Sequence, residues 1–93
     1  MEISILDLFH QNQKSIIDIR DNQKYKKGHI PGAISIEAYE LLFHPDKYIQ
    51  KGKTYYLYCD SGIRSRRISE ELNRRGYSTV NIKGGYHNYL LMK

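Results

Sequence analysis

The chain has 93 residues, which is less than the usual length of one domain, so we expect a single domain over residues 1–93. A hydrophobic fraction of 40% and a charged fraction of 27% are typical of a globular protein and exclude a disordered one. The formal net charge of +5 favours anionic partners, either small oxyanions or nucleic acid.

Sequence signals for membranes, secretion and metals are missing. No apolar run approaches the roughly 18 residues of a membrane span, and the first four residues do not open a signal peptide, so we expect a cytoplasmic protein with no membrane partner. Cys59 is the only cysteine, which excludes an internal disulfide framework and a cysteine-rich zinc site. The four histidines lack the spacing of metal ligands, and we predict no metal.

The first half of the chain alternates short apolar segments with polar ones. Asp21 is placed to cap a short helix that ends at Gly28. In chain order the patterns predict a short strand running into an amphipathic turn or helix (residues 3–9), a buried strand (15–19), the capped helix, a glycine- and proline-rich turn (28–32), a short strand (33–36), a helix through residues 39–43 and a further helical turn from Pro45 toward Gln50.

The second half contains the strongest strand pattern, the aromatic-rich segment 54–59. After the polar residues 60–62, the spacing of Ile68 and Leu72 predicts a helix over 63–75 that ends at Gly76. A last strand (79–82), a Gly-Gly turn and a terminal helix (86–92) follow.

Alternating strands and helices indicate an α/β fold with a parallel sheet flanked by helices on both faces. In such sheets ligands bind at the carboxyl ends of the strands. Cys59 lies at that end of the strongest strand, immediately before a helix. The topology therefore favours a functional cysteine over an inert one.

The loop after Cys59 contains the residues that a reactive thiolate requires. Backbone amides and a helix N-terminus stabilise an anion there, and Gly62 lets the backbone curl around it. Arg64 adds a fixed positive charge and a planar set of donors for an oxyanion. The alternative is a buried, inert cysteine followed by a helix that Asp60 or Ser61 caps.

Three blocks of the sequence, in this order and spacing, resemble the single-domain rhodaneses, a family of sulfurtransferases. The family's first motif is similar to Asp18-Ile19-Arg20-Asp21 with Tyr25 and residues 28–33. Its active-site loop is similar to Tyr58-Cys59-Asp60-Ser61-Gly62-Ile63-Arg64-Ser65. Its closing motif is similar to Leu72, Gly76-Tyr77, Val80, Ile82 and Gly84-Gly85. The resemblance implies a rhodanese-like α/β fold with about five parallel strands.

The resemblance also implies the chemistry. Cys59 would be the nucleophile, and a cradle of Asp60, Ser61, Gly62, Ile63 and Arg64 would stabilise its thiolate and persulfide, with Arg64 helping to hold the anionic donor. The thiolate would take the outer sulfur of thiosulfate, or of a persulfide, and pass it to cyanide or a thiol, with no cofactor. A protein is a possible donor or acceptor.

Two departures from the family pattern affect this expectation. Asp60 places a negative charge beside the nucleophile, where it weakens thiosulfate binding if it points into the pocket and has little effect if it caps the helix. Tyr86 and Tyr89 stand where relatives often carry a tryptophan, which concerns the packing of the last helix.

Supporting roles are expected for residues outside the loop. We predict that Asp18 and Arg20 fix the loops under the site, that His29 fixes its own turn, and that Ser65 supports the cradle. The arginine face of the helix at residues 63–75 is predicted to be solvated and partly neutralised by Glu70 and Glu71, so nucleic acid is not an expected partner.

Two rival functions stay open at this stage. One is a protein-binding or sulfur-carrier module with little activity on thiosulfate. The other is a cysteine phosphatase or arsenate reductase, whose loop needs one more residue between cysteine and arginine. The spacing of Cys59 and Arg64 argues against that second rival.

Overall fold

Five parallel strands form one sheet in the computed structural model, which describes residues 1–12 and 14–93. The sheet order is β1-β5-β4-β2-β3, where the strands are β1 (Glu2–Ile3), β2 (Ser15–Asp18), β3 (Ile34–Ser35), β4 (Thr54–Tyr58) and β5 (Ser78–Ile82). The connecting helices are α1 (Ile5–Phe9), α2 (Asn22–Lys27), α3 (Ala38–Phe43), α4 (Pro45–Tyr48), α5 (Ile63–Arg74) and α6 (Gly85–Leu91). The predicted α/β class with a five-stranded parallel sheet is confirmed.

The strand β4 lies at the centre of the sheet because its aromatic and aliphatic residues pack on both faces. Its Leu57 lies opposite Ile17 of β2 on one side and Asn81 of β5 on the other. All five strands run the same way, so their carboxyl ends meet at one edge of the sheet. That edge carries the residues that follow β2, β4 and β5.

Two apolar clusters cover the two faces of the sheet. Side chains alternate along each strand, so Leu57 faces one cluster and its neighbour Tyr58 faces the other. The first cluster joins β2 and β4 to α3 and α5 through Leu41 and Leu72, and it contains Cys59. The second joins them to α1 through Leu8, with Tyr86 and Tyr89 of α6 packed against it.

Two tyrosines of α6, Tyr86 and Tyr89, pack the last helix against the second apolar cluster. The rings of Tyr86 and Tyr89 stack with centroids 5.7 Å apart, and Phe9 of α1 meets Tyr89 edge-on at 6.1 Å. The last helix is therefore packed on the sheet by aromatic contacts of its own.

The helix boundaries show which local predictions hold. Asp21 caps α2, accepting a hydrogen bond from the amide of Lys24 at 3.0 Å, as predicted. The alternative capping of α5 by Asp60 or Ser61 is wrong, because the N-cap residue is Gly62 and no side chain caps that helix. The carboxyl end of α5 follows expectation, with Gly76 in the left-handed region at φ +101°.

No helix within residues 1–12 and 14–93 is long and apolar enough to cross a membrane. In the same residues no three histidine, cysteine, aspartate or glutamate side chains are grouped so as to hold a metal ion. The cytoplasmic location and the lack of metal and cofactor stay predictions.

Candidate active site

The site is centred on Cys59, which follows β4 at the carboxyl edge of the sheet. Its side chain is only 4% exposed, and it lines a cavity of about 210 Å³. Two backbone amides donate hydrogen bonds to its Sγ, that of Gly62 at 3.2 Å and that of Ser65 at 3.3 Å. Amides aimed at a sulfur atom stabilise its anionic form.

The backbone of the loop can take this path because Gly62 has no side chain. Its φ of +92° lies in the left-handed region, which other residues rarely adopt. A Cβ atom at this position would also lie 2.8 Å from the amide nitrogen of Gly84. Within the predicted cradle, residues 60–64, Gly62 provides the amide that contacts the sulfur. The second amide that contacts the sulfur belongs to Ser65, just outside that range.

The turn between β5 and α6 supports the loop from behind. The amide N–H groups of Tyr86 and His87, in the first turn of α6, donate to the carbonyl oxygens of Cys59, at 2.9 Å, and Asp60, at 3.0 Å. A Cβ atom on Gly85 would lie 2.2 Å from the Cys59 carbonyl oxygen. The Gly-Gly motif is therefore where two loops touch backbone to backbone.

Ser65 and Asn81 form a buried polar contact beside the sulfur. Ser65 Oγ lies 3.4 Å from Cys59 Sγ and 2.5 Å from Oδ1 of Asn81. Asn81 Nδ2 donates to the carbonyl oxygen of Gly62 at 3.1 Å. Sequence reasoning missed Asn81, although a polar residue inside the last apolar strand is a signal that could have identified it.

Asp18 and Arg20 lie at the base of the site and make a buried ion pair of 2.7 Å. The hydroxyl of Tyr58 donates to Asp18 at 2.6 Å and accepts from the amide of Ile30 at 3.0 Å, while Arg20 donates to the carbonyl of Gly28 at 2.7 Å. These bonds hold the turn at residues 28–32 under the site. Their geometry favours the predicted loop-fixing role over contact with substrate.

The same network shifts two ionisation equilibria. Burial opposes the charged form of Arg20, but the hydrogen bond and charge of Asp18 outweigh it and raise the pKa of Arg20. Burial and the hydrogen bond to Asp18 also raise the pKa of Tyr58. Both groups therefore keep their protons across the physiological range.

His29 lies away from the nucleophile, in the turn that Arg20 anchors. Its Nδ1 donates to the carbonyl oxygen of Tyr25 at 2.9 Å, and its ring stacks on the Tyr25 ring with centroids 3.8 Å apart. These contacts favour the structural role predicted for His29.

Asp60 neither caps α5 nor stands alone in the cavity. Its carboxylate lies 2.7 Å from Nζ of Lys24 and 3.5 Å from the guanidinium of Arg20. Partial burial raises the pKa of Asp60, but the hydrogen bond and charge of Lys24, followed by the charge of Arg20, outweigh it and hold the pKa below its ordinary value. Lys24 is a site residue that the sequence did not reveal.

Arg64 lies between two adjoining cavities. It lines the cavity of Cys59 together with Ser61, and it also lines a second one of about 320 Å³ beside Tyr39 and Glu37. Its guanidinium carbon is 5.7 Å from the centroid of the Tyr39 ring. Ile63, the remaining residue of the predicted cradle, is 57% exposed.

The arginine face of α5 is neutralised only in part. Glu71 pairs with Arg74 and with Arg75, and the hydrogen bonds from these two arginines lower the pKa of Glu71. Within the described part of the chain, Glu70, Arg66 and Arg67 take part in no ion pair, so the predicted pairs of Glu70 with Arg66 and of Glu71 with Arg67 are not formed.

The rhodanese-like domain family matches residues 4–91 of the chain. The chain belongs to this family, which confirms the family resemblance predicted from its sequence.

Individual relatives agree with this assignment. The chain is 35% identical over 72 residues to a putative sulfurtransferase, YtwF, of Bacillus subtilis, covering 75% of this chain and 67% of that protein. It is 37% identical over 68 residues to a tRNA sulfurtransferase of Pyrobaculum aerophilum, covering 73% of this chain but 14% of that protein. A rhodanese-related protein of Thermoplasma volcanium superposes with a TM-score of 0.88 at 26% identity, covering 98% of this chain and 91% of that one. These names support a sulfurtransferase-type family and a role in sulfur transfer.

Proposed function

We propose that the protein is a sulfurtransferase in which Cys59 accepts sulfane sulfur from thiosulfate or a persulfide and passes it to a thiol or cyanide. The observation that carries this proposal is the placement of the Cys59 sulfur, which receives two backbone amide hydrogen bonds and faces a cavity lined by Arg20, Lys24 and Arg64. A nucleophilic anion and an anionic donor are both stabilised in such a place.

The transfer proceeds in two displacements at sulfur. The Cys59 thiolate attacks the outer sulfur of thiosulfate, the bond between the two donor sulfurs breaks, and sulfite leaves with the electron pair. A deprotonated persulfide remains on Cys59. The acceptor, cyanide or a thiolate, then attacks the outer sulfur of this persulfide, which breaks the sulfur–sulfur bond and returns the Cys59 thiolate.

The chain's own residues have separate tasks in these steps. The amides of Gly62 and Ser65 stabilise negative charge on Sγ before attack and after release. Arg64 and Lys24 attract the donor dianion and offset the charge of the departing sulfite. Asp60 is held by Lys24 and Arg20, so part of its repulsion toward the donor is cancelled.

A second candidate is a sulfur carrier whose donor or acceptor is another protein. The exposed apolar side chains beside the site favour it, because Tyr39 is 61% and Ile63 57% exposed, and both neighbour Arg64. Exposed aromatic and aliphatic groups next to an arginine are common in protein interfaces. The relative named as a tRNA sulfurtransferase is much longer than the matched segment, and its RNA substrate is not proposed for this chain.

Intact-mass measurement after incubation with thiosulfate and desalting tests the main proposal. We expect a species heavier by one sulfur atom, which returns to the original mass when a thiol or cyanide is added. It should persist until then, because the chain has no second cysteine to displace the sulfur into an internal disulfide. The matched control is Cys59→Ser, which is close in shape but scarcely ionised at neutral pH and should show neither adduct nor turnover.

The choice of donor separates the two candidates. An adduct from a persulfide donor but not from thiosulfate would favour the carrier. Failure with every sulfane-sulfur donor, on protein whose Cys59 is free and alkylates readily, would overturn both candidates.

A further inference from the structure

Asn81 is a buried amide in the central part of the sheet, and the mechanism above gives it no task. It lies on β5, is 1% exposed, and faces the nucleophile's loop. Besides its contacts with Ser65 and Gly62, its Nδ2 donates to a carboxylate oxygen of Glu2 at 2.7 Å. A polar side chain at such a depth requires all of its hydrogen bonds to be made.

The partners of Asn81 determine which way its amide points. Nδ2 faces the carbonyl oxygen of Gly62 and the carboxylate of Glu2, and both of these groups only accept hydrogen bonds at neutral pH. The amide oxygen therefore faces Ser65. Because an amide oxygen also only accepts, the Ser65 hydroxyl donates its single hydrogen to Asn81, across 2.5 Å.

The hydrogen bond from Ser65 to Asn81 determines how the Ser65 hydroxyl can interact with the sulfur. With its hydrogen directed at Asn81, Ser65 Oγ presents lone pairs to Cys59 Sγ at 3.4 Å. It can accept a hydrogen bond from the thiol, but it cannot donate one to the thiolate. The thiolate is then stabilised by the two amides without help from the nearest hydroxyl group.

We propose that Asn81 is a positioning residue that holds the Ser65 hydroxyl as an acceptor toward Cys59 and thereby favours the protonated thiol in the resting site. The inference rests on the proposed function, in which the Cys59 thiolate is the attacking group. A resting thiol also reacts more slowly with oxidants than a thiolate does. Asn81 thus lowers the nucleophilicity of Cys59 and at the same time protects it from oxidation. Cys59 is the only cysteine in the sequence.

The variant Asn81→Leu tests this directly, because it keeps the approximate shape and removes both amide groups. The Gly62 carbonyl retains its hydrogen bond from the amide of Arg66 at 3.2 Å, and Glu2, on the exposed edge strand, can be hydrated. The group left without a partner is the Ser65 hydroxyl, which is then free to turn its hydrogen to the sulfur. A hydrogen bond to a charged group should move the midpoint of the iodoacetamide alkylation rate against pH about one unit lower.

Ser65→Ala is the matched control, since it removes the hydroxyl and keeps the amide that contacts the sulfur. Alone it removes the acceptor that favours the thiol and should lower the midpoint, but by less than Asn81→Leu does, because no hydrogen bond to the thiolate is gained. Adding Asn81→Leu to it should then lower the midpoint no further. The charged groups that line the cavity, which are Arg20, Asp21, Lys24, Asp60 and Arg64, are the same in all of these proteins. Urea unfolding of each variant verifies that it is folded.

Three results would overturn the inference: a midpoint that is unchanged or higher in Asn81→Leu, a midpoint in the double variant as low as in Asn81→Leu, or a rise of about one unit in Ser65→Ala alone. The last would mean that the hydroxyl already donates to the thiolate, and it decides the matter even if Asn81→Leu fails to fold. Alkylation needs no sulfur donor, so a failure here is distinct from a failure to form the persulfide.

Discussion

Asp60 illustrates how the effect of one charge depends on its immediate partners. By position alone its carboxylate repels an anionic donor, because it adjoins the nucleophile in the chain. The structure places it on Lys24 and beside Arg20, and its side chain is 35% exposed, so solvent screens it further. The residual repulsion is therefore modest, and it depends on Lys24.

Removing the charge of Asp60 and removing the charge of Lys24 should change the KM for thiosulfate in opposite directions. Asp60→Asn should lower the KM for thiosulfate by about two- to fivefold, because the cavity gains positive charge, and Lys24→Met should raise it by a similar factor. Steady-state rates at low and high salt measure both, and the differences should shrink as salt is added. The KM for an uncharged thiol acceptor is the internal control. Equal KM values for thiosulfate in the two variants would show that this carboxylate does not face the donor's path.

The abundance of tyrosine, nine residues against two phenylalanines, also has an explanation at the scale of single residues. Several hydroxyl groups join a buried or half-buried ring to a loop backbone: Tyr25 donates to the carbonyl of Ala33 at 2.7 Å, and Tyr55 accepts from the amide of Gln50 at 3.0 Å. Tyr58 does the same for Ile30. Phenylalanine would fill the same space but would leave these loop groups without partners.

At the scale of elements, the closing turn matters because it touches the nucleophile's loop through backbone atoms. Gly85 opens α6 with a φ of +55°, and the atom that a Cβ would meet is the carbonyl oxygen of Cys59 itself. A backbone atom cannot rotate away as a side chain can. Any side chain at residue 85 must therefore displace either α6 or the loop.

Gly85→Ala should lower the free energy of unfolding by about 2–5 kcal/mol, combining left-handed backbone strain with the steric clash, and should slow alkylation of Cys59. Gly52→Ala is the matched control, because its φ is +91° but a Cβ there would meet nothing within 4 Å. It should cost only about 1–2 kcal/mol and leave alkylation unchanged. Urea unfolding measures the first quantity, and similar losses in both variants would mean that the contact with Cys59 has no separate cost.

The elements that sequence patterns predicted correctly are those with a strong local cause. Asp21 capping α2 and Pro45 opening α4 depend on neighbours within four residues, and both are confirmed. The strand predicted over 54–59 ends at Tyr58, since Cys59 has already left the ladder to join the loop. The same kind of local pattern allowed Asp60 or Ser61 to cap α5, but that alternative is wrong. Gly62 takes the N-cap position because the chain must curl around the sulfur.

The parts of the site that were missed depend on residues distant in sequence. Lys24 meets Asp60 across 36 positions, and Asn81 meets Ser65 across 16. Both contacts exist because the parallel sheet brings elements that are distant in sequence to one edge, a pairing that no single-sequence pattern specifies. The motifs predicted which loop carries the chemistry, whereas the groups that control it come from α2 and β5.

At the scale of the whole molecule, the charge balance links the site to stability in acid. The formal charge is +5 at neutral pH, and it becomes more positive as carboxyl groups take up protons at lower pH. Two of these carboxyl groups, Asp60 and Glu71, have a pKa below the ordinary value because arginine or lysine side chains hold their charged forms. Both form ion pairs that protonation would release.

The pKa of Asp60 is lower in the folded protein than in the unfolded chain, where it is near 3.8. Ionised Asp60 therefore stabilises the fold fully at any pH above the unfolded pKa. This stabilisation is lost as the pH falls through the pKa of the folded protein. The free energy of unfolding should therefore fall as pH drops from about 5 toward 2.5, and the fall should be shallower in Asp60→Asn, which has no proton to bind there. Urea unfolding at a series of pH values measures both curves. General charge repulsion acts on both proteins alike at low pH, where Asp60 itself is neutral, so their difference isolates the contribution of this carboxylate. Parallel curves over the whole range would show that the ion pair of Asp60 with Lys24 and Arg20 does not persist in solution.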